Sequence, residues 1–235
     1  MIKPLEKLNL EFKKNFQAVF NTPKLTQKYL NRRSDIFDEL IIDEFLRRKL
    51  ENDFAIVALG GYGRRELFPS SDIDLSIIQL TKKTEKIDDV KDFIGWLWTL
   101  KVKIGHSVRT IKDINKITKS DLKEFTSYLS NRVIYCHKNN INDLNQNLKK
   151  ISSNWNKTKF FNAKKLEQQR RYQSFDSTEF SLEPDLKESP GCLRDFQTAL
   201  WVLEHCFEIE KLEDCIKIKL FKKIEIKNVK KSYDH

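Results

Sequence analysis

The sequence predicts an α+β protein: a small mixed β-sheet core with flanking helices, followed by a helical domain. Three observations predict it. Strand-like apolar runs at 54–59, 73–80 and 101–110 all fall in the first half. Helix-spaced apolar residues precede the first run and lie between the second and third. From about residue 118 onward only helical spacing recurs, interrupted by loops. The expected divisions are an N-terminal helical segment over 1–50, a sheet-bearing core over 51–117 and a helical domain over 118–235.

The elements follow in order. Residues 34–50, SDIFDELIIDEFLRRKL, read as an amphipathic helix capped by Ser34, with Phe37, Ile41 and Phe45 at i, i+4 and cations near the C-terminus. Two strands follow, Phe54–Leu59 and Ile73–Leu80, joined by GGYGRRELFPSSD. Three of the chain's six glycines fall within residues 60–63, a concentration of backbone freedom that marks a sharp turn or close approach to a ligand. A helix over 86–100 carries Phe93, Trp96, Leu97 and Leu100, and KVKIGHSVRT at 101–110 alternates as a third strand. Leu122, Phe125 and Leu129 predict a helix over 120–137. Further helices are expected over 156–175 and 192–208, separated by the ordered loop SLEPDLKESPG, and the lysine-rich last 25 residues read as a final helix or a frayed tail.

Composition narrows the class. There are 44 basic and 34 acidic residues, a formal charge of +10, which suits an anionic partner or a solvated lysine surface. Sixteen Phe and four Trp supply core material that disordered chains lack. No apolar run approaches the roughly 20 residues that span a bilayer, so no membrane partner is expected. The opening MIKPLEKLNLEFKKNF has no hydrophobic block or cleavage site. Cys136, Cys192, Cys206 and Cys215 form no CxxC pair, which argues against a zinc site or a disulfide framework. The expectation is a reduced cytoplasmic protein.

The chemistry is concentrated in Gly60-Gly61-Tyr62-Gly63-Arg64-Arg65-Glu66-Leu67-Phe68-Pro69-Ser70-Ser71-Asp72-Ile73-Asp74-Leu75. Asp72 and Asp74, two apart at the head of a strand, point to one face. Two carboxylates ~4 Å apart repel by roughly 4 kcal/mol at an effective dielectric near 20. A divalent cation removes that repulsion, and with oxygen ligands and a phosphate substrate Mg²⁺ is the natural choice. An isolated DxD is more often two solvated aspartates ending a loop than a metal site; the glycines shift that balance. Amides of Gly60 and Gly61 can face phosphate oxygens without a Cβ in the way. Arg64 and Arg65 add charge, and Ser70 or Ser71 can donate to a phosphate oxygen. The pattern is neither GxxxxGK[ST] nor GxGxxG, so kinase and Rossmann readings are weak. It has the parts that nucleotidyl transfer needs.

At these residues the chain resembles the bacterial protein-PII uridylyltransferases, of the polymerase-β-like nucleotidyltransferase superfamily. GGYGRxELxPxSDxDL looks like their nucleotidyltransferase motif. GHSVRT at 105–110, SLEPDLKESPGCLRD at 181–195 and the helix start Gln197–Trp201 fit in the same order, so the resemblance covers roughly 50–205. It implies transfer of UMP from UTP to a tyrosine of a PII-like protein, with Mg²⁺. By position, Gly60, Gly61, Arg64 and Ser71 would bind substrate, and Asp72 and Asp74 would be catalytic and hold metal. Arg64 reads equally as a structural anchor for the loop. His106 and Arg109, and Pro190, Gly191, Arg194 and Asp195 at the junction motif, read first as structural.

Departures bear on the expected activity. Arg65 and Cys192 stand where the family commonly has glycine, and Thr99 where an aspartate is usual. The superfamily often takes a third carboxylate from a neighbouring strand, yet 101–110 contains no acid; Glu66 is the candidate substitute. Family members continue into an HD-type hydrolase domain and two ACT domains. This sequence has no His-Asp dipeptide, and its length leads us to expect neither. Beside the transferase reading stands a catalytically impaired remnant that binds nucleotide or a partner. Nucleotide addition to RNA ranks last, because the lysines are scattered and no basic-aromatic stretch emerges.

Overall fold

A computed structural model describes residues 3–81, 85–176, 185–209 and 212–233. The chain is α+β and divides into two compact units, one running to Ile151 and the other starting at Ser152.

The first unit opens with three helices, α1 (Lys3–Lys14), α2 (Phe16–Phe20) and α3 (Pro23–Arg47). Helix α3 begins well before the expected start at Ser34, with Pro23 in the first turn, where its missing N–H costs nothing. Ser34 is therefore not a cap. It lies buried in mid-helix, its hydroxyl donating to the Leu30 carbonyl at 3.0 Å. The apolar spacing that reads as a helix from residue 36 extends back through Leu30 and Tyr29, which are buried on the same element.

Strand β1 (Phe54–Leu59) runs into the one-turn helix α4 (Gly60–Gly63), and the chain returns as β2 (Ile73–Gln79). Helix α5 (Ile87–Trp98) crosses over to β3 (Ile104–Thr110), followed by α6 (Ile111–Ser120) and α7 (Leu122–Leu129). The helix expected over 120–137 stops at Leu129. Arg132–Tyr135 is instead a fourth strand, β4, and α8 (Ile141–Lys150) closes the unit. The tetrapeptide RVIY is too short to show a period, and only the free edge of β1 beside it makes it a strand.

The sheet order is β3-β2-β1-β4. Strand β1 is antiparallel to both β2 and β4, and β2 is parallel to β3, so the sheet is mixed. One face is dry: Phe54, Ile56, Ala58, Ile73, Leu75 and Ile77 pack on Ile36, Phe37, Ile41 and Phe45 of α3 and Val90, Phe93 and Leu97 of α5. Burying side chains of this size contributes roughly 1.5–3 kcal/mol each, which makes this layer the main source of the unit's stability. On the other face the Tyr128 hydroxyl of α7 meets Ser76 Oγ at 2.7 Å, and Arg109 grips Glu124 with two bonds of 2.6 and 2.8 Å. That pairing raises the Arg109 pKa further and shows Arg109 tying β3 to α7. Residues 118–151 thus go with the sheet, so the break between units falls after Ile151 and not after 117.

The second unit contains α9 (Lys157–Asp176), α10 (Leu193–Phe207), α11 (Asp214–Lys217) and α12 (Lys223–Tyr233). The loop reading of SLEPDLKESPG is described only from Asp185; residues 181–184 lie outside the described residues. Asp195, at the start of α10, gathers donors. Gln168 donates at 2.8 Å and the Gly191 N–H at 2.7 Å, while Arg171 and Tyr172 also bond its carboxylate. Gly191, at φ +79°, allows the chain to turn its amide onto that carboxylate. Burial opposes ionisation of Asp195, but the bonds from Tyr172, Gln168, Gly191 and Arg171 outweigh it and hold the pKa down at about 2. The sign follows: the stabilisation is present above the ordinary value near 3.8 and is lost as pH falls through about 2. We expect the second unit to lose about 1–2 kcal/mol from this group between pH 4 and 2, after allowance for solvent screening. Urea midpoints across that range should fall less steeply in Asp195→Asn than in wild type; equal slopes would remove the assignment.

Among the described residues no helix is long and apolar enough to cross a membrane. All four cysteines are free thiols.

Candidate active site

The site residues converge where β1 ends and β2 begins. Leu59, the last residue of β1, pairs with Asp74, so the glycine turn starts directly beside that carboxylate. Asp74 is exposed while Ile73 and Leu75 on either side are buried, and Asp72 is exposed as well. Alternation therefore places both carboxylates on the open face, as the sequence predicts. Gly60 adopts φ +56°, a region that a side chain disfavours, and a Cβ there would lie 3.6 Å from Asp74 Oδ2. Gly105 of β3 pairs with Asp74 from the other side, and a Cβ on it would come within 2.4 Å of Asp74 Oδ1. Asp74 thus sits in a cradle of two glycines. Gly105 belongs to the GHSVRT stretch, but only the strand register shows what its missing side chain is for.

The turn itself is pinned from beneath. Tyr62 is fully buried and its hydroxyl donates to Asp38 of α3 at 2.6 Å. Burial and the neighbouring Asp38 charge push the Tyr62 hydroxyl well above its ordinary pKa, so it stays a donor. Arg132 of β4 binds the same carboxylate at 2.6 and 3.1 Å and lies over the Tyr62 ring. Arg65, at φ +61°, occupies the left-handed conformation that glycine adopts most readily. It pairs with Asp35 at 2.6 Å, an exposed contact worth at most about 1 kcal/mol against a backbone cost of about 1–2 kcal/mol. In the sequence Asp35 and Asp38 look like solvated acids of an amphipathic helix, and nothing local signals that they anchor the turn.

Arg64 donates from Nε to Glu66 at 2.8 Å and from Nη1 to Ser130 at 3.1 Å, a geometry that ties the end of the turn to α7. The same ion pair engages Glu66. The loop carrying Ser70, Ser71 and Asp72 is held by a buried cation. Arg33 of α3, 2% exposed, donates to Asn9 at 2.9 Å and to the Pro69 carbonyl at 3.1 Å. Ser71 is half-buried, its N–H donating to the Phe68 carbonyl at 3.0 Å. Thr99 caps the end of α5, its hydroxyl donating to the Trp96 carbonyl at 2.7 Å. His106 faces the other side of β3, edge-on to Trp98.

Two exposed carboxylates at i, i+2, with glycine backbone around them, form an oxygen donor set that suits a Mg²⁺ retaining several water or phosphate ligands. Among the described residues no group of three or more His, Cys, Asp and Glu side chains is placed to hold a metal.

A mixed sheet that presents a glycine turn and a DxD pair at adjoining strand ends is the arrangement expected of a nucleotidyltransferase, and the comparisons with known proteins agree. A family model described as GlnD PII-uridylyltransferase matches residues 159–235. A curated relative from Haemophilus influenzae (strain PittEE), named bifunctional uridylyltransferase/uridylyl-removing enzyme, is 38% identical over 190 residues, 80% of this chain and 22% of the relative. Proteins of the same name from Pseudoalteromonas translucida and Idiomarina loihiensis are 37% identical over 190 residues (80% of this chain, 22% of the relative) and 34% over 212 (88% and 24%). The chain is a relative of the bacterial uridylyltransferases, and it spans less than a quarter of the length of these curated relatives.

Proposed function

We propose that this chain transfers UMP from UTP to a tyrosine of a PII-type signalling protein. The observation that carries the reading is the Asp72–Asp74 pair set beside the Gly60–Gly61 turn by the Leu59–Asp74 pairing. Asp72 and Asp74 are the residues that would hold Mg²⁺, which when bound would neutralise the triphosphate and the leaving pyrophosphate. The first amides of a helical turn have no carbonyl behind them within it, so those of Gly60 and Gly61 are available to phosphate oxygens. Ser71 would donate its hydroxyl to the same group, and Arg64, its charge paired with Glu66, holds the end of the turn in place. The acceptor hydroxyl oxygen forms a bond to the α-phosphorus, the bond to the bridging oxygen of pyrophosphate breaks, and the hydroxyl proton passes to water. The chain's part is positioning and charge stabilisation.

The test is incubation of the full chain with UTP, Mg²⁺ and a PII-type protein, with transfer read by mass spectrometry. Asp72→Ala and Asp74→Ala should each lower the rate by about 10³-fold or more, in the range seen when groups that stabilise charge in a transition state are lost. Equal rates in wild type and both variants would sink the reading. A second reading, binding without turnover, is favoured by the absence of a third acid beside the pair among the described residues. It predicts a rise in melting temperature with UTP and Mg²⁺ and no transfer to any acceptor.

A further inference from the structure

The strand register brings a cation to the two carboxylates. The Ile73 N–H donates to the Lys103 carbonyl at 2.9 Å, Ile73 pairs with Ile104, and Asp74 pairs with Gly105. Side chains alternate along both strands, and paired residues share a face. Ile73 is fully buried and Ile104 half-buried on the core face. Asp72, Asp74, Lys103 and Gly105 therefore share the opposite face, where all four are exposed. The paired register starts at Ile73 and Ile104; carried one residue further toward the N-termini, it puts Lys103 across from Asp72 at one strand spacing, ~4.8 Å, with Gly105 next on the same face. A lysine stem readily spans that distance. No acid occurs anywhere in 101–110.

Two carboxylates suffice to hold one divalent cation between them. A second would need a further acid ligand and would have to settle beside an ammonium that repels it. The anionic oxygens of a triphosphate, by contrast, are natural partners for a lysine acting as a point charge. We propose that the site takes one divalent ion, on Asp72 and Asp74, and that Lys103 supplies the second positive charge by contacting the α-phosphate of a bound nucleoside triphosphate. This rests on the nucleotidyl-transfer reading above and specifies how that site is charged.

The experiment uses the full chain and a nonhydrolysable α,β-methylene analogue of UTP. Calorimetry with Mg²⁺ measures its affinity, and electron paramagnetic resonance with Mn²⁺ counts the ions per bound analogue. Wild type should bind one Mn²⁺. Lys103→Ala should weaken the analogue by about tenfold or more, the loss expected for one charge-assisted contact, while Lys103→Arg keeps the affinity within about threefold. Lys103→Glu, which supplies the missing acid, should bind a second Mn²⁺. Because Lys103 is exposed, all three variants should melt at the wild-type temperature. Two ions in wild type, undiminished affinity in Lys103→Ala, or a single ion in Lys103→Glu would each overturn the assignment while leaving nucleotidyl transfer standing. No binding of the analogue by wild type would overturn both.

Discussion

Replacing Gly63 with alanine should cost the first unit about 3 kcal/mol, among the larger effects available to a single methyl group. A Cβ at this position would lie 2.0 Å from the Ser130 carbonyl oxygen, 3.0 Å from its carbon and 3.1 Å from the Ala58 carbonyl oxygen. All three are backbone atoms, so no side-chain rotation relieves the overlap. Ser130 ends α7, and Ala58 lies in the buried strand β1. The glycine turn must therefore lift away from one or the other. Lifting it also strains the Arg64–Ser130 bond and moves the Tyr62 hydroxyl off Asp38. Equilibrium urea denaturation of wild type and Gly63→Ala, followed by far-ultraviolet circular dichroism, measures the cost. A loss below about 1 kcal/mol would mean that the turn has room to shift and that Gly63 is present for some other reason.

Gly105→Ala should behave in the opposite way, with nearly unchanged stability and a large loss of function. Here the added Cβ meets the end of a side chain, Asp74 Oδ1 at 2.4 Å, and no other atom closer than 3.6 Å. The carboxylate is the end of a flexible, exposed side chain, so it gives way more readily than the backbone that faces Gly63. Rotation takes it off the position it shares with Asp72, however, and displacement of a reacting group by about 1 Å can cost roughly 100-fold in rate. On the proposed function, the rate of UMP transfer should fall by at least about 100-fold, with the melting temperature within about 2 °C of wild type. Mn²⁺ affinity should fall in parallel, which provides a readout independent of turnover. Wild-type affinity and rate in Gly105→Ala would show that Asp74 works from another rotamer. The pair of glycine substitutions separates two roles that the sequence cannot tell apart, because in each case the letter is the same and only the neighbour differs.

Much of this protein is legible without coordinates. The runs at 54–59 and 73–80 are rich in Ile, Val and Leu and bounded by loop residues, and they form β1 and β2 almost as read. Helices α5, α9 and α10 lie within a residue or two of their expected bounds. The Asp72–Asp74 pair was legible because a two-residue period is a local property of extended backbone. The start of α3 and the strand β4 were not. Ser34 has the chemistry of a cap, and whether it caps depends on what precedes it. Arg132–Tyr135 is a strand because β1 has a free edge to offer it.

By itself the sequence determined what nearest neighbours along the chain decide: the α+β class, the glycine turn, the facing carboxylates and the kinship with uridylyltransferases. Tertiary structure alone decided the partners of those groups. It set Gly105 beside Asp74 and the Lys103 carbonyl on the Ile73 N–H, gave Asp38 to Tyr62 and Arg132, and brought Arg33 to the loop that carries Ser71. The physical reason is range. Alternation and helical period act over a few residues, whereas strand register and long-range side-chain bonds join positions 15 to 94 residues apart, and burial decides which contacts persist.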